Sequence, residues 1–220
     1  MGKMSMTNTT VSGWEAALRG MRNPLKSWNH SDSIFGEYVD SVPKLGENDK
    51  ILMKRLCKSA FDCDAKFLRM ITVWSDWSMP RYFWSEADTY TFMVKNSEST
   101  MHTLLTKDGE FTLRMFEHDD DDETIRTLET IINQLNALRK QYQKIKESKL
   151  IKDKSYALNK ILRRAKMILP ESYIQKRTIC TNYQELRNMY RQRMNHRLPE
   201  WNNVFVEWIE SLPYSWLITD

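Results

Sequence analysis

Four arginines crowd one short stretch of the chain: Arg187, Arg191, Arg193 and Arg197 lie between Tyr183 and Leu198, and Glu185 is the one acid inside that run. A solvated helix face ordinarily mixes both signs, so a single sign beside tyrosines and amides suggests a surface that meets an anion. A phosphate fits best, because the planar guanidinium donates as a fork. Arg81 stands beside a second aromatic cluster, Trp74–Phe92, whose Trp84 and Tyr90, like Tyr190 of the arginine run, could stack on a base. Ser97 and Ser99 sit at what reads as a helix start, where unsatisfied N–H groups could also hold an anion.

Other chemistries lack their residues. No nucleophile–base pair is legible, so no catalytic residue is assigned. The four histidines (His30, His102, His118, His196) have no metal-ligand spacing, and none of Cys57, Cys63 and Cys180 stands in a metal-ligand motif. Six glycines form neither a dinucleotide fingerprint nor a Walker loop. The acidic run Glu117–Glu123 reads as a helix start, with acids at the positive end of the dipole, rather than as a metal site.

The elements that must position these groups follow from periodicity. Over 220 residues, with 41% hydrophobic and 28% charged, the chain reads as one α+β domain, mostly helical with a small sheet, spanning 12–220 behind a flexible 1–11. Ser12 to Glu15 forms a capping box for a helix to Gly20. Asn48 is the expected cap of a helix to about Asp62, with Ile51, Leu52, Leu56 and Phe61 inward. Phe67–Ser75 alternates as a strand, and Asn96–Ser99 opens a helix through about Leu105. Ile125, Leu128, Ile132, Leu135 and Leu138 give a long helix over about 123–147. A second helix spans about 155–168 and is basic outside, and together the two make a helical segment at about 120–168. A strand at about 173–181 leads into the arginine helix, 183–196, along which Leu186, Met189, Tyr190 and Arg193 share one side. Pro199 starts the last helix, 200–212.

A net charge of +4 argues against a long nucleic acid, and the absence of a long apolar run argues against a membrane span. Three cysteines cannot all pair, so reduced thiols and a cytoplasmic setting are expected.

At the C-terminal end the sequence resembles the flavin-dependent thymidylate synthases (ThyX). Leu169-Pro170, a strand containing Thr178, Asn182 opening a helix, Asn188 six residues on and Arg193 five after that reproduce the family's C-terminal signature. The resemblance covers about the central and C-terminal two-thirds. It implies a ThyX-like fold, a flavin-site role for Asn188, a grip on dUMP for Arg193, and a homotetramer whose sites lie between subunits, with the long helix offering packing surface. The blocks RYFWSEADTY at Arg81–Tyr90, NSESTMHTL at Asn96–Leu104 and QRMNHRLPEW at Gln192–Trp201 resemble phage and prophage proteins of that fold more closely still. They imply a location in the host cytoplasm.

The family's hallmark, R-H-R-x-x-S-x-N-x-x-S-x-R-Y, is rewritten here. Aligned on Tyr90, its R-H-R falls on Trp77-Ser78-Met79, its later Ser on Ala87 and its last Arg on Thr89. Each lost charge-assisted contact is worth roughly 1.5–3 kcal/mol. The expectation is therefore a binder of a nucleotide, or of a cyclic or other nucleotide-derived phosphate, that has lost synthase activity, carries no cofactor and, in a phage, sequesters a nucleotide signal of host defence. Its ligand residues would be Arg193, Arg191, Arg197, Arg81, Asn188, Asn182, Trp84, Tyr90, Tyr190, Ser97 and Ser99. One alternative is an enzyme that uses FAD to modify a pyrimidine nucleotide. Another is a structural protein with its aromatics in the core and its arginines paired to Glu200 and Glu207.

Overall fold

The computed structural model describes residues 4–38, 41–59, 63–107, 109–150 and 152–220. Four strands, β1 (Ser5–Ser12), β2 (Thr72–Pro80), β3 (Val94–Ser97) and β4 (Ile174–Asn182), form one antiparallel sheet in the order β1-β2-β4-β3. The helices are α1 (Trp14–Arg22), α2 (Glu47–Cys57), α3 (Arg81–Ala87), α4 (Asp122–Glu147), α5 (Lys154–Ile168), α6 (Tyr183–Arg193), α7 (Val206–Glu210) and α8 (Trp216–Thr219). The fold is thus mostly helical α+β.

The sequence reads as one domain over 12–220, yet the chain gathers into two compact units. Among the described residues, one is built from the spans 78–87 and 97–177, and the other from 4–77, 88–96 and 178–220. The first has an apolar core of its own. The stripes of α4 (Leu128, Ile132, Leu135, Leu138) and α5 (Leu162, Ala165) close on Leu104, Phe116 and Tyr173. The caps are as the sequence dictates: the Asp121 carboxylate accepts from the amides of Glu123 and Thr124, and that of Asp153 from Tyr156.

In the second unit, Trp14 meets the edges of Tyr183 and Tyr214 at centroid distances of 5.4 and 5.5 Å. Trp77 likewise meets Phe205 and Trp208, at 5.9 and 5.3 Å. A buried ion pair holds α1 to α2: Arg22 reaches the Asp49 carboxylate through Nε at 2.8 Å and Nη2 at 2.7 Å. The other Asp49 oxygen accepts from both hydroxyls and two backbone amides of Ser31–Ser33, pinning that loop to α2.

Several local expectations are corrected. Residues 5–11, within the stretch read as flexible, belong to β1, because Thr9, Thr10 and Val11 suit an extended strand that pairs with β2. Ser12 is taken up in that strand, so the cap of α1 is Gly13, without a side-chain bond. At φ 83° Gly13 is left-handed, and a Cβ there would lie 2.2 Å from the Met70 carbonyl oxygen. Gly46 rather than Asn48 precedes α2, whose first amides, those of Asn48 and Asp49, are held by the Asp32 carboxylate. Ile51 points outward, and Asp49, Met53 and Cys57 make the inner face because the Arg22 pair fixes its rotation. Phe61 and Asp62 lie outside the described residues.

The alternation read at 67–75 begins later. Lys66–Met70 wind into a 3₁₀ turn, and β2 then buries Val73, Ser75, Trp77 and Met79 on alternate positions. The expected helix at 96–105 is a strand, β3, followed by hydrogen-bonded turns over 99–107.

Candidate functional site

Three segments of the second unit converge on one guanidinium. Asn182 ends β4 and caps α6, its side-chain oxygen accepting from the Glu185 amide 3.0 Å away. From that fixed start, Leu186, Met189 and Tyr190 are buried along one side of α6, and Arg193 comes next on the same stripe at the C-terminal turn. The loop over 88–93 supplies Tyr90 and is tied down by Lys95 of β3, which pairs with Asp88 at 3.5 Å and donates to the Tyr90 carbonyl at 3.3 Å. Helix resumes at Pro199, and its first turns widen to a π-helical segment over Trp201–Phe205 that carries Trp201.

Arg193 Nε donates to the Tyr90 hydroxyl at 2.9 Å, and that hydroxyl donates onward to Gln192 Oε1 at 2.9 Å. The guanidinium carbon lies 4.9 Å from the Trp201 ring centre and 5.6 Å from that of Tyr90, within cation–π range of both. Arg193 is therefore an oriented cation between two aromatic walls, and such a group suits an anion attached to a flat ring. Gln192 and Trp201 were not singled out from the sequence. The signal for them was present, since both lie in the block that holds Arg193 and Pro199 sets the helix turn that brings Trp201 back.

The remaining sequence candidates fall in varied settings. Arg191 is exposed and donates to the Asp220 backbone oxygen at 3.4 Å. Arg197 is exposed on the bend after α6, and Asn188 is exposed and accepts from Gln184 at 3.2 Å. Tyr190 is buried in the core. Arg187, first read as part of the anion-facing run, is instead buried and donates to the backbone oxygens of Cys57 and Asp220, both at 3.0 Å.

In the first unit, Arg81 pairs with Glu171 at 3.1 Å. Trp84 is buried, its indole N–H donating to the Gln175 carbonyl at 2.9 Å, and Arg177 covers its ring at 4.2 Å. That contact occupies a face the sequence offered to a base. Ser97 is the last residue of β3 and Ser99 lies in the following turn, so the helix N-terminus that would have held an anion there does not form.

Three of the five rewritten hallmark positions lie in the core, while Ser78 is half-buried and Thr89 is exposed. Trp77, Met79 and Ala87 are each 0% exposed. Trp77 is packed among Phe205 and Trp208, and Trp208 in turn donates its indole N–H to Thr9 at 2.9 Å. Among the described residues no group of histidine, cysteine and acid side chains could hold a metal ion, and no helix is long and apolar enough to cross a membrane.

No protein-family model matches the sequence, and no curated protein does. Solved structures do. Thymidylate Synthase X (ThyX) from Helicobacter pylori, crystallised with FAD and dUMP, superposes with a TM-score of 0.68 at 18% identity, over 99% of this chain and 97% of that one. A second crystal structure of the H. pylori enzyme with the same two ligands gives 0.64 at 19%, over 98% and 97%. The UMP/dUMP methylase PolB from Streptomyces cacaoi, bound with 5-Br dUMP, gives 0.55 at 12%, over 95% and 88%. The fold is that of the flavin-dependent thymidylate synthases.

Proposed function

We propose that this protein binds a nucleotide, or a phosphate ligand derived from one, without synthesising thymidylate. The observation that carries the reading is Arg193, oriented by the Tyr90 hydroxyl and seated against Trp201. Nucleotides are the ligands crystallised with the structural neighbours: dUMP in ThyX and 5-Br dUMP in PolB. Arg193, Arg191 and Arg197 would take the phosphate, with Tyr90 beside the base. The polar groups expected to grip flavin and phosphate at the hallmark are replaced by the core residues Trp77 and Met79, which supports binding without the synthase reaction. Self-association into a tetramer and, in a phage, sequestration of a nucleotide signal used in host defence belong to the same reading.

The catalytic alternative requires FAD, the ligand crystallised with ThyX. Purified protein separates the two. The binding reading expects no flavin absorbance near ~450 nm and a melting point raised by dUMP, UMP or a cyclic nucleotide but not by FAD. Yellow protein whose melting point rises with FAD would favour the enzyme. No response to either class would leave the aromatics and arginines as structure.

A further inference from the structure

The charge of this chain is strongly divided, and the Arg193 site accounts for little of the division. Between Arg139 and Met167 there are eleven lysines and arginines against Glu147 and Asp153, a net +9, so the rest of the chain carries −5 within its overall +4. The small total that argues against a long nucleic acid conceals this split. The segment is the second half of α4 and nearly all of α5, an antiparallel pair in the first unit.

These cations are not consumed internally. Lys140 pairs with Glu110 at 3.6 Å, but among the described residues no ion pair engages Lys144, Lys149, Lys152, Lys160, Arg163 or Arg164, and all six are exposed. On α5 the residues Tyr156, Lys160, Arg163 and Met167 follow at steps of four, three and four and so form one stripe, about 16 Å long at 1.5 Å per residue. Tyr156 is 68% exposed, which leaves a ring open among the lysines.

We infer that the outer face of the α4–α5 hairpin is a docking surface for the phosphate backbone of a nucleic acid. Charge complementarity points to a polyanion: a row of unneutralised cations along a rigid rod meets phosphates spaced regularly along a strand, and releasing their counterions drives association. A membrane fits less well. A helix lying on lipid buries an apolar face, whereas the apolar stripes of α4 and α5 are spent on each other in the core and leave only scattered side chains such as Leu150 and Met167 outside. The exposed Tyr156 ring adds a stacking platform for a base of a single strand.

The test is fluorescence anisotropy of labelled 20-nucleotide single-stranded RNA, single-stranded DNA and duplex DNA, titrated with the full-length protein from about 50 mM salt upward. Binding should weaken steeply with salt. The triple variant K160E/R163E/R164E should lose at least tenfold in affinity at low salt and flatten the log–log salt slope by about two, at ~0.7 per cation for a single strand. Circular dichroism checks its fold, and K144E/K149E, in the last turn of α4 and the bend just after it, provides a second, independent variant with a loss in the same direction. Arg193→Ala should bind oligonucleotide as the wild type does, which separates this surface from the nucleotide site. Three results would each overturn the inference: no anisotropy change with any oligonucleotide, affinities unaltered in both folded charge-reversal variants, or binding confined to vesicles of phosphatidylserine and phosphatidylcholine.

Discussion

Arg193 is held through the same kinds of contact that would make it a ligand group, so its neighbours offer the cleanest tests of its role. Arg193→Ala should abolish nucleotide binding in a titration while leaving the circular dichroism spectrum unchanged, since the side chain is only partly buried. Tyr90→Phe keeps the ring but removes the hydroxyl that accepts from Arg193 Nε. A hydrogen bond to a charged group is worth roughly 1.5–3 kcal/mol, so affinity should fall by about ten- to a hundredfold. Elsewhere in that unit, the buried Asp49 carboxyl makes a pH prediction. Burial would push it up, but hydrogen bonds from Ser33, Arg22 and Ser31 and the Arg22 charge outweigh that and hold it below the ordinary aspartate value. A depressed folded value contributes stability above the unfolded value and loses it as pH falls through the folded one. The melting point should therefore drop on acidification below about pH 4, and Asp49→Ala should remove that acid sensitivity while costing about 3–5 kcal/mol at neutral pH, because Arg22 is left buried and unpaired.

At the scale of elements, α4 and α5 were legible because their apolar steps of three and four residues run unbroken. β4 and α6 were legible for a similar reason, with Asn182 marking their junction. Asn182→Ala should lower stability by about 1 kcal/mol through the lost cap, read as a shift in the urea midpoint. Where the sequence misled, a partner distant in the chain decided the outcome. The Ser12 capping box yielded to strand pairing, α2 was rotated by the Arg22–Asp49 pair, and the serines after β3 went into a strand and turns. The site shows the same division. Arg193 was legible because it extends an apolar stripe on its own helix. Gln192 and Trp201 were not, since their contacts with Tyr90 and Arg193 depend on how the loop over 88–93 and the π-helical turn close around them.

For the whole molecule, the fold sets Arg193 of α6 against Tyr90 and Trp201, while β2 buries Trp77 and Met79, two of the positions aligned with the hallmark. Reinstating the hallmark charge tests that statement. Trp77→Arg would place an unpaired cation where the side chain is 0% exposed, and should yield little folded protein and no gain in flavin absorbance. The central claim is nucleotide binding at Arg193, and thermal shift measures it most directly when dUMP, UMP and FAD are each added to wild-type protein and to Arg193→Ala. A nucleotide at a hundredfold excess over its Kd should raise the wild-type melting point by about 5–10 °C and leave the variant unmoved, with FAD silent in both. A rise with FAD, or an equal nucleotide shift in Arg193→Ala, would contradict it.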